Sequence, residues 1–273
     1  FINCKSGSGG AIFISLGTRK GGEQAKIEFC QFENCVGGRG SAIHCESYEF
    51  NLENSTFNNQ EQFDKYEVES VIYLYHKDGN LKTNVLGCNF TKCVHDILII
   101  SDESINTRSV SFTECNFELN KIKSLRDDSR SLFNLANMHS IPLSFDNCKF
   151  TSNDGYCIFA NKGICKCTFT NTVFDGNTGT EGCIIYVTKD STTEDQEYIV
   201  LNECQFNNNQ FKVSGRGRAT GVLHAPMSFV RLEGSNTFNG NKAIFEGTSS
   251  KKNCAYGGSI FFDNIKSFSI SNC

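Results

Sequence analysis

Apolar positions recur with period two along most of this chain. Val110 and Phe112, Leu143 and Phe145, Cys167 and Phe169, Ile199 and Leu201, Val230 and Leu232, and Phe268 and Ile270 are pairs two residues apart. Such alternation predicts strands with one buried face. A second set of apolar runs lies between these pairs: GGAIFIS at 9–15, GSAIHCE at 40–46, ESVIYLY at 69–75, DILII at 96–100, SLFNL at 131–135, YCIFA at 156–160, GCIIYV at 182–187, GVLHA at 221–225 and GSIFF at 258–262. A Cys-x-Phe step supplies a third short strand. Its Phe falls at Phe1, Phe32, Phe57, Phe90, Phe117, Phe150, Phe174, Phe206 and Phe238, spaced 31, 25, 33, 27, 33, 24, 32 and 32 residues apart. A period of this size, kept while the connections vary in length, is the mark of a stacked repeat. Three strands in each repeat leave no room for a useful helix. The expected fold is all-β, a right-handed parallel β-helix solenoid with three short strands per rung and about eight to nine rungs.

In such a rod equivalent residues form columns, because rungs stack at about 4.8 Å. The Phe residues from Phe32 to Phe238 are expected to stack through the core. Three residues later come Asn120, Asn153, Asn177, Asn209 and Asn241, preceded by Cys4, Cys35 and Cys93 at the same offset. Asn suits a sharp corner, since it tolerates left-handed backbone and its amide bonds to its own turn and to neighbours above and below. Two residues before Phe sits Cys30, Cys88, Cys115, Cys148 or Cys204, a small side chain for a tight corner. Cys157 and Cys183 suggest a third thiol column, and neighbouring rungs lie at disulfide-compatible spacing. For the columns as a whole, stacked buried thiols are favoured over disulfides. The pairs Cys165/Cys167 and Cys30/Cys35 raise a zinc site, but no His-rich partner stands at the usual spacing. Neither metal nor other cofactor is expected.

The unbroken repeat argues for one domain over 1–273, cut mid-repeat at both ends, as a piece of a longer protein. Net charge is −4, which excludes a basic nucleic-acid groove. No apolar window is long enough to cross a bilayer.

GGAI at 9–12, GGSI at 257–260 and Phe-x-x-Asn at 117–120, 150–153, 174–177, 206–209 and 238–241 resemble the tetrapeptide repeats of the polymorphic outer-membrane protein family of chlamydiae. They are also similar to repeat proteins on the surface of trichomonad parasites, and the Cys-for-Asn rungs and degraded GGA sites lean towards that eukaryotic type. The resemblance covers nearly the whole chain. It implies a β-helical surface domain acting in adhesion to host cells. Partners would then be a host-cell or matrix protein or a glycan, with membrane contact only through segments outside this chain, and with end-to-end or lateral self-association. Location would be the cell surface or the extracellular space.

β-Helices also carry polysaccharide lyases and hydrolases, which set carboxylates on an outer strand face. With Ile12, Ile14, Ile72, Leu74, Ile184 and Tyr186 inward, the outward stripe of the GGAI strand reads Phe13, His44, Tyr73, Ile99, Asn134, Phe159, Ile185, His224 and Phe261. It holds no carboxylate, and Asp127 and Asp128 read as a solvated loop. The expectation is therefore a non-catalytic module, with a carbohydrate-active enzyme or a purely structural rod as alternatives. Phe13, His44, Tyr73, Phe159, His224 and Phe261 form the candidate binding stripe, covered loops being the competing reading. Insertions at 15–24, 60–69, 121–130, 187–197, 210–219 and 242–257 are further candidates. Asn54-Ser55-Thr56 and Asn89-Phe90-Thr91 match the N-glycosylation pattern.

Overall fold

The computed structural model describes residues 1–15, 24–46, 49–60, 70–76, 81–102, 108–122, 131–134, 142–160, 166–179, 183–187, 199–214, 218–225, 229–246, 254–255, 257–261 and 267–270. They form a parallel β-helix. The alternating segments build a nine-stranded sheet running from Gln24–Glu28 to Ser267–Ile270, and the Cys-x-Phe steps build an eight-stranded sheet from Gln31–Glu33 to Thr237–Asn239. The GGAI-type strands make the third side, as a four-stranded sheet from Ile12–Ile14 to Asp96–Asp102 and a five-stranded one from Ser131–Asn134 to Ile260–Phe261. All strand pairs in these sheets are parallel and in register, so each residue lies against its own equivalent in the next rung.

The Phe column forms as expected. Rings from Phe1 to Phe238 stack at 4.6 to 5.3 Å between centroids, with planes within 20°. Each offset stack adds about 0.5–1.5 kcal/mol beyond area burial. Mid-rod, Phe112, Phe145 and Phe169 from the nine-stranded sheet stack on one another and meet this column edge-on, Phe145 to Phe150 at 5.4 Å. Phe133 fills the remaining corner at 5.0 Å from Phe112.

Two corners of each rung are left-handed. One lies two residues after Phe, at Asn3, Asn34, Asn59, Lys92, Leu119, Ser152, Gly176, Asn208 and Gly240; the other runs through Phe29, Asn54, Gly87, Glu114, Asn147, Asn171, Glu203 and Gly234. The Asn column at Phe+3 is therefore not the left-handed corner, which corrects the expectation by one residue. Those Asn side chains turn inward, and Asn120, Asn153, Asn177 and Asn209 are buried. Each Nδ2 donates to the Phe carbonyl of the preceding rung, as Asn177 does to Phe150 at 2.9 Å. It also donates to the Oδ1 of the next Asn, Asn153 to Asn177 and Asn177 to Asn209 at 2.9 Å. That Oδ1 accepts in addition the backbone N–H of the preceding Asn, from Asn153 at 3.0 Å. At this bend the strand ladder breaks, and a side-chain amide replaces the missing backbone partners.

The GGAI strand has its own cause. Gly40 has φ +67°, and a Cβ there would stand 1.9 Å from the Ile43 carbonyl oxygen, so only glycine closes this turn. Just after it, two successive amides share one acceptor: Cys157 and Ile158 both donate to the Ile184 carbonyl, at 2.9 and 3.0 Å. This bulge-like kink turns two consecutive side chains inward. Ala42 and Ile43, Val71 and Ile72, Cys157 and Ile158, and Ile184 and Ile185 are accordingly all buried.

The segments 210–219 and 242–257, read from sequence as insertions, belong partly to the solenoid. Gln210–Ser214 pairs with Lys242–Glu246, and Phe211 is fully buried. Most of the other insertions, with Asp127 and Asp128, lie outside the described residues.

Phe150→Ala, with both stacking partners within 4.7 Å, is expected to lower unfolding free energy by about 3–5 kcal/mol in urea denaturation. Asn177→Leu keeps the volume but strands the Asn153 amide and the Phe150 carbonyl, and should cost more than about 2 kcal/mol. In the opposite direction, Leu119 is half exposed with φ +54°. Leu119→Asn should stabilise by about 1 kcal/mol, read as a higher denaturation midpoint at unchanged slope.

Candidate functional site

The outward position of the GGAI strand follows the inward pair. In register it runs Phe13, His44, Tyr73, Ile99 on one sheet and Asn134, Phe159, Tyr186, His224, Phe261 on the other. Tyr186 replaces Ile185 in the expected stripe, because the inward pair there is Ile184 and Ile185. The kink shifts strand parity by one, which strict alternation does not anticipate.

The rings touch along the stripe edge-to-face, except His224 and Phe261, which are tilted at 54°. His44 lies 4.8 Å from Phe13 and 5.0 Å from Tyr73, and His224 lies 5.2 Å from Tyr186 and 5.0 Å from Phe261. Arg39 sits over Tyr73 at 5.7 Å from its centroid. Access varies along the line. Phe13 is 53% exposed, whereas His44, Tyr73 and His224 are buried; Ile99, Tyr186 and Phe261 are half-buried. The side chains of Asn134 and Phe159 lie outside the described residues. The open part of the stripe is thus its Phe13 end and, less fully, its Phe261 end.

His44 is the unusual group. Neither ring nitrogen has a hydrogen-bond partner, and its nearest carboxylate oxygen, on Glu46, is 3.9 Å from Nε2. Burial lowers its pKa below the ordinary 6.5, Glu46 opposes this, and Arg39 adds to it. It is therefore a neutral buried imidazole at pH 7.

Outward carboxylates do exist, on sheet faces the sequence reading did not search. Glu28 and Glu53 are side by side in register, and Lys26 bridges them at 2.9 and 3.4 Å. The hydrogen bond from Lys26 holds the Glu28 carboxyl below its usual range. That is the reverse of what a general acid near neutrality requires. Glu118 and Asp175 share another column, with Thr151 between them. Adjacency to the anchor Phe was the signal for Glu118 and Asp175, and alternation with inward Ile27 and Leu52 was the signal for Glu28 and Glu53.

The cysteines whose side chains are described, from Cys4 to Cys204, are not joined in disulfides. Those two before Phe act as weak donors at the second corner: Cys148 Sγ lies 3.5 Å from the Phe112 carbonyl and 3.4 Å from that of Asp146. Thr172 and Asn236 take the same place with ordinary hydrogen bonds. Three thiols are consecutive. The contact with Cys115 and burial together push the Cys88 and Cys148 thiols up. Burial pushes Cys93 up to about 12 and Cys204 to about 11. Cys157 pairs in register with Ile184, not Cys183, so the expected third thiol column is offset by one residue. Cys165 lies outside the described residues. Among those described, no group of three or more His, Cys, Asp or Glu is arranged to hold a metal ion.

Comparison with protein-family models, curated proteins and solved structures finds nothing that matches the chain.

A His whose folded pKa is depressed binds fewer protons than its unfolded counterpart between the two values. Stability from His44 is thus complete above the unfolded value near 6.5 and is lost as pH falls from there towards the lower folded value. His44→Phe keeps a ring between Phe13 and Tyr73 and should flatten the fall in unfolding free energy between pH 7.5 and 5. An unchanged pH slope in the variant would show that His44 is already solvated.

Proposed function

We propose that this chain is a non-catalytic, surface-displayed scaffold that binds a protein or a glycan. One observation carries the reading: the rod is held together from within, by stacked Phe rings and by the Asn amide ladder. Stability resides in nearest-neighbour rungs, so outward side chains and the connecting insertions are free to vary without unfolding the rod. That division suits a display scaffold whose binding determinants change while the frame stays the same. Phe13, the most open ring of the aromatic stripe, and the insertion 188–198 are the elements assigned to contact. Aromatic rings at such positions favour protein and glycan surfaces alike.

The test compares the chain with Phe13→Ser and with a variant in which a short Gly-Asn linker replaces 188–198. Binding to cultured host-cell surfaces and to a glycan array should weaken in at least one variant, with circular dichroism and melting midpoint retained. Binding should also survive EDTA. Metal-independent turnover of a polysaccharide that is lost in a folded Glu53→Gln variant would instead make this an enzyme. Absence of any surface or glycan binding would leave a structural rod.

A further inference from the structure

Phe29 is out of place. Its corner column otherwise carries Asn54, Gly87, Glu114, Asn147, Asn171, Glu203 and Gly234, residues that accept left-handed backbone or water. Phe29 has φ +52° and is 77% exposed. A bulky side chain at positive φ costs about 1–2 kcal/mol, and an exposed ring recovers none of it by burial. Neither term serves the solenoid.

Its neighbour in the next rung is Asn54, head of the tripeptide Asn54-Ser55-Thr56. The pairing is fixed by Glu28 against Glu53 and by the Phe29 N–H donating to the Glu53 carbonyl at 3.1 Å. Asn54 is exposed. Its amide orientation can be read from Gly87 in the following rung, where a Cβ would stand 2.6 Å from Asn54 Oδ1 and 3.6 Å from its Cγ. The oxygen end therefore faces Gly87. In the other left-handed corner the same sense is seen directly, since Asn59 Nδ2 reaches back to Asn34 Oδ1 at 2.6 Å.

The second tripeptide, Asn89-Phe90-Thr91, is placed differently. Asn89 is half-buried inside the eight-stranded sheet, between Thr56 and Asn116 in register, and its Oδ1 accepts from Asn116 Nδ2 at 2.8 Å. A glycan there would stand within a packed ladder.

We infer that Asn54 is an acceptor for an N-linked glycan, and that the exposed ring of Phe29 is the platform on which its first sugar rests. A pyranose presents a face of C–H groups that matches the negative face of an aromatic ring. The strained ring then gains the partner that the protein alone does not supply. In the transfer, Asn54 Nδ2 attacks the anomeric carbon of a polyprenyl-diphosphate-linked oligosaccharide. The N–C1 bond forms, the C1–O bond to the diphosphate breaks, polyprenyl diphosphate leaves with the electron pair, and the amide proton passes to a base of the transferase. No oxidation or reduction is involved.

This inference rests on the surface-display reading, since only a chain entering a secretory route meets such a donor. Acceptor competence is nevertheless measurable apart from natural location. The 273-residue chain is expressed behind a secretion signal in a eukaryotic host, with a reporter acceptor sequence in an appended tag. Only molecules whose tag is glycosylated are scored, by intact mass and glycopeptide mapping. One further glycan is expected, absent in Asn54→Gln and Thr56→Val and retained in Asn89→Gln. The glycosylated chain should melt about 2 °C or more above Asn54→Gln, and Phe29→Ala should leave occupancy intact while abolishing that gap. Tag-glycosylated chains with Asn54 bare, or with the glycan on Asn89 alone, would overturn the acceptor assignment. A melting gap that persists in Phe29→Ala would overturn the platform. Loss of surface binding with Asn54 still occupied would instead count against the display reading.

Discussion

In-register parallel pairing makes each residue's nearest neighbour its own counterpart one repeat away. With rungs about 4.8 Å apart, this spacing suits two kinds of column: flat rings that stack, and planar amides that pass a hydrogen bond along. The Phe and Asn columns use both, three residues apart in the five repeats from Phe117 to Phe238. Because the rung spacing also matches ring stacking, one Phe per turn forms a continuous column against which the other inward side chains pack. The varied connections cost little in such a frame, since loop entropy grows only slowly with length.

The corners show where this constraint is hardest to meet. At each bend the strand ladder is interrupted, and buried backbone groups lose their partners. Asn at Phe+3 supplies both a donor to the preceding carbonyl and an acceptor for the preceding amide, which is why its chain of bonds runs unbroken from Asn120 to Asn241. Gln60 stands at the same offset and still reaches the Phe32 carbonyl, at 3.0 Å, but its own Oε1 is left without a partner. Cys at the other bend is a weaker donor tolerated for its size, as Thr172 and Asn236 indicate by making stronger bonds in the same place.

A frame stabilised this way separates the supporting columns from the outward side chains. Residues that leave the columns or break their chemistry, such as the buried unpaired His44 or the exposed left-handed Phe29, are not explained by the stability of the rod. They are where functional readings have a physical foothold. The carboxylate pair Glu28 and Glu53, by contrast, is bridged by Lys26 and behaves as an ordinary surface ladder.

The sequence by itself determined the parallel β-helix, the Phe stack and the Asn column, because a motif at constant offsets from one anchor residue is visible without knowing the fold. It also marked the outward line of the GGAI strand through Phe13, His44 and Tyr73. The tertiary structure decided what spacing cannot express. The left-handed corner sits at Phe+2, since the bend must come before the Asn that caps it. The kink of the GGAI strand turns both Ile184 and Ile185 inward, so Tyr186, not Ile185, stands in the stripe. Phe211, read as part of an insertion, is core because Gln210–Ser214 pairs with a strand 32 residues later. Burial of His44 and Tyr73 likewise depends on what packs over them in space. Periodicity reports which face of a strand a residue occupies; only the assembled rungs determine whether that face meets protein or water.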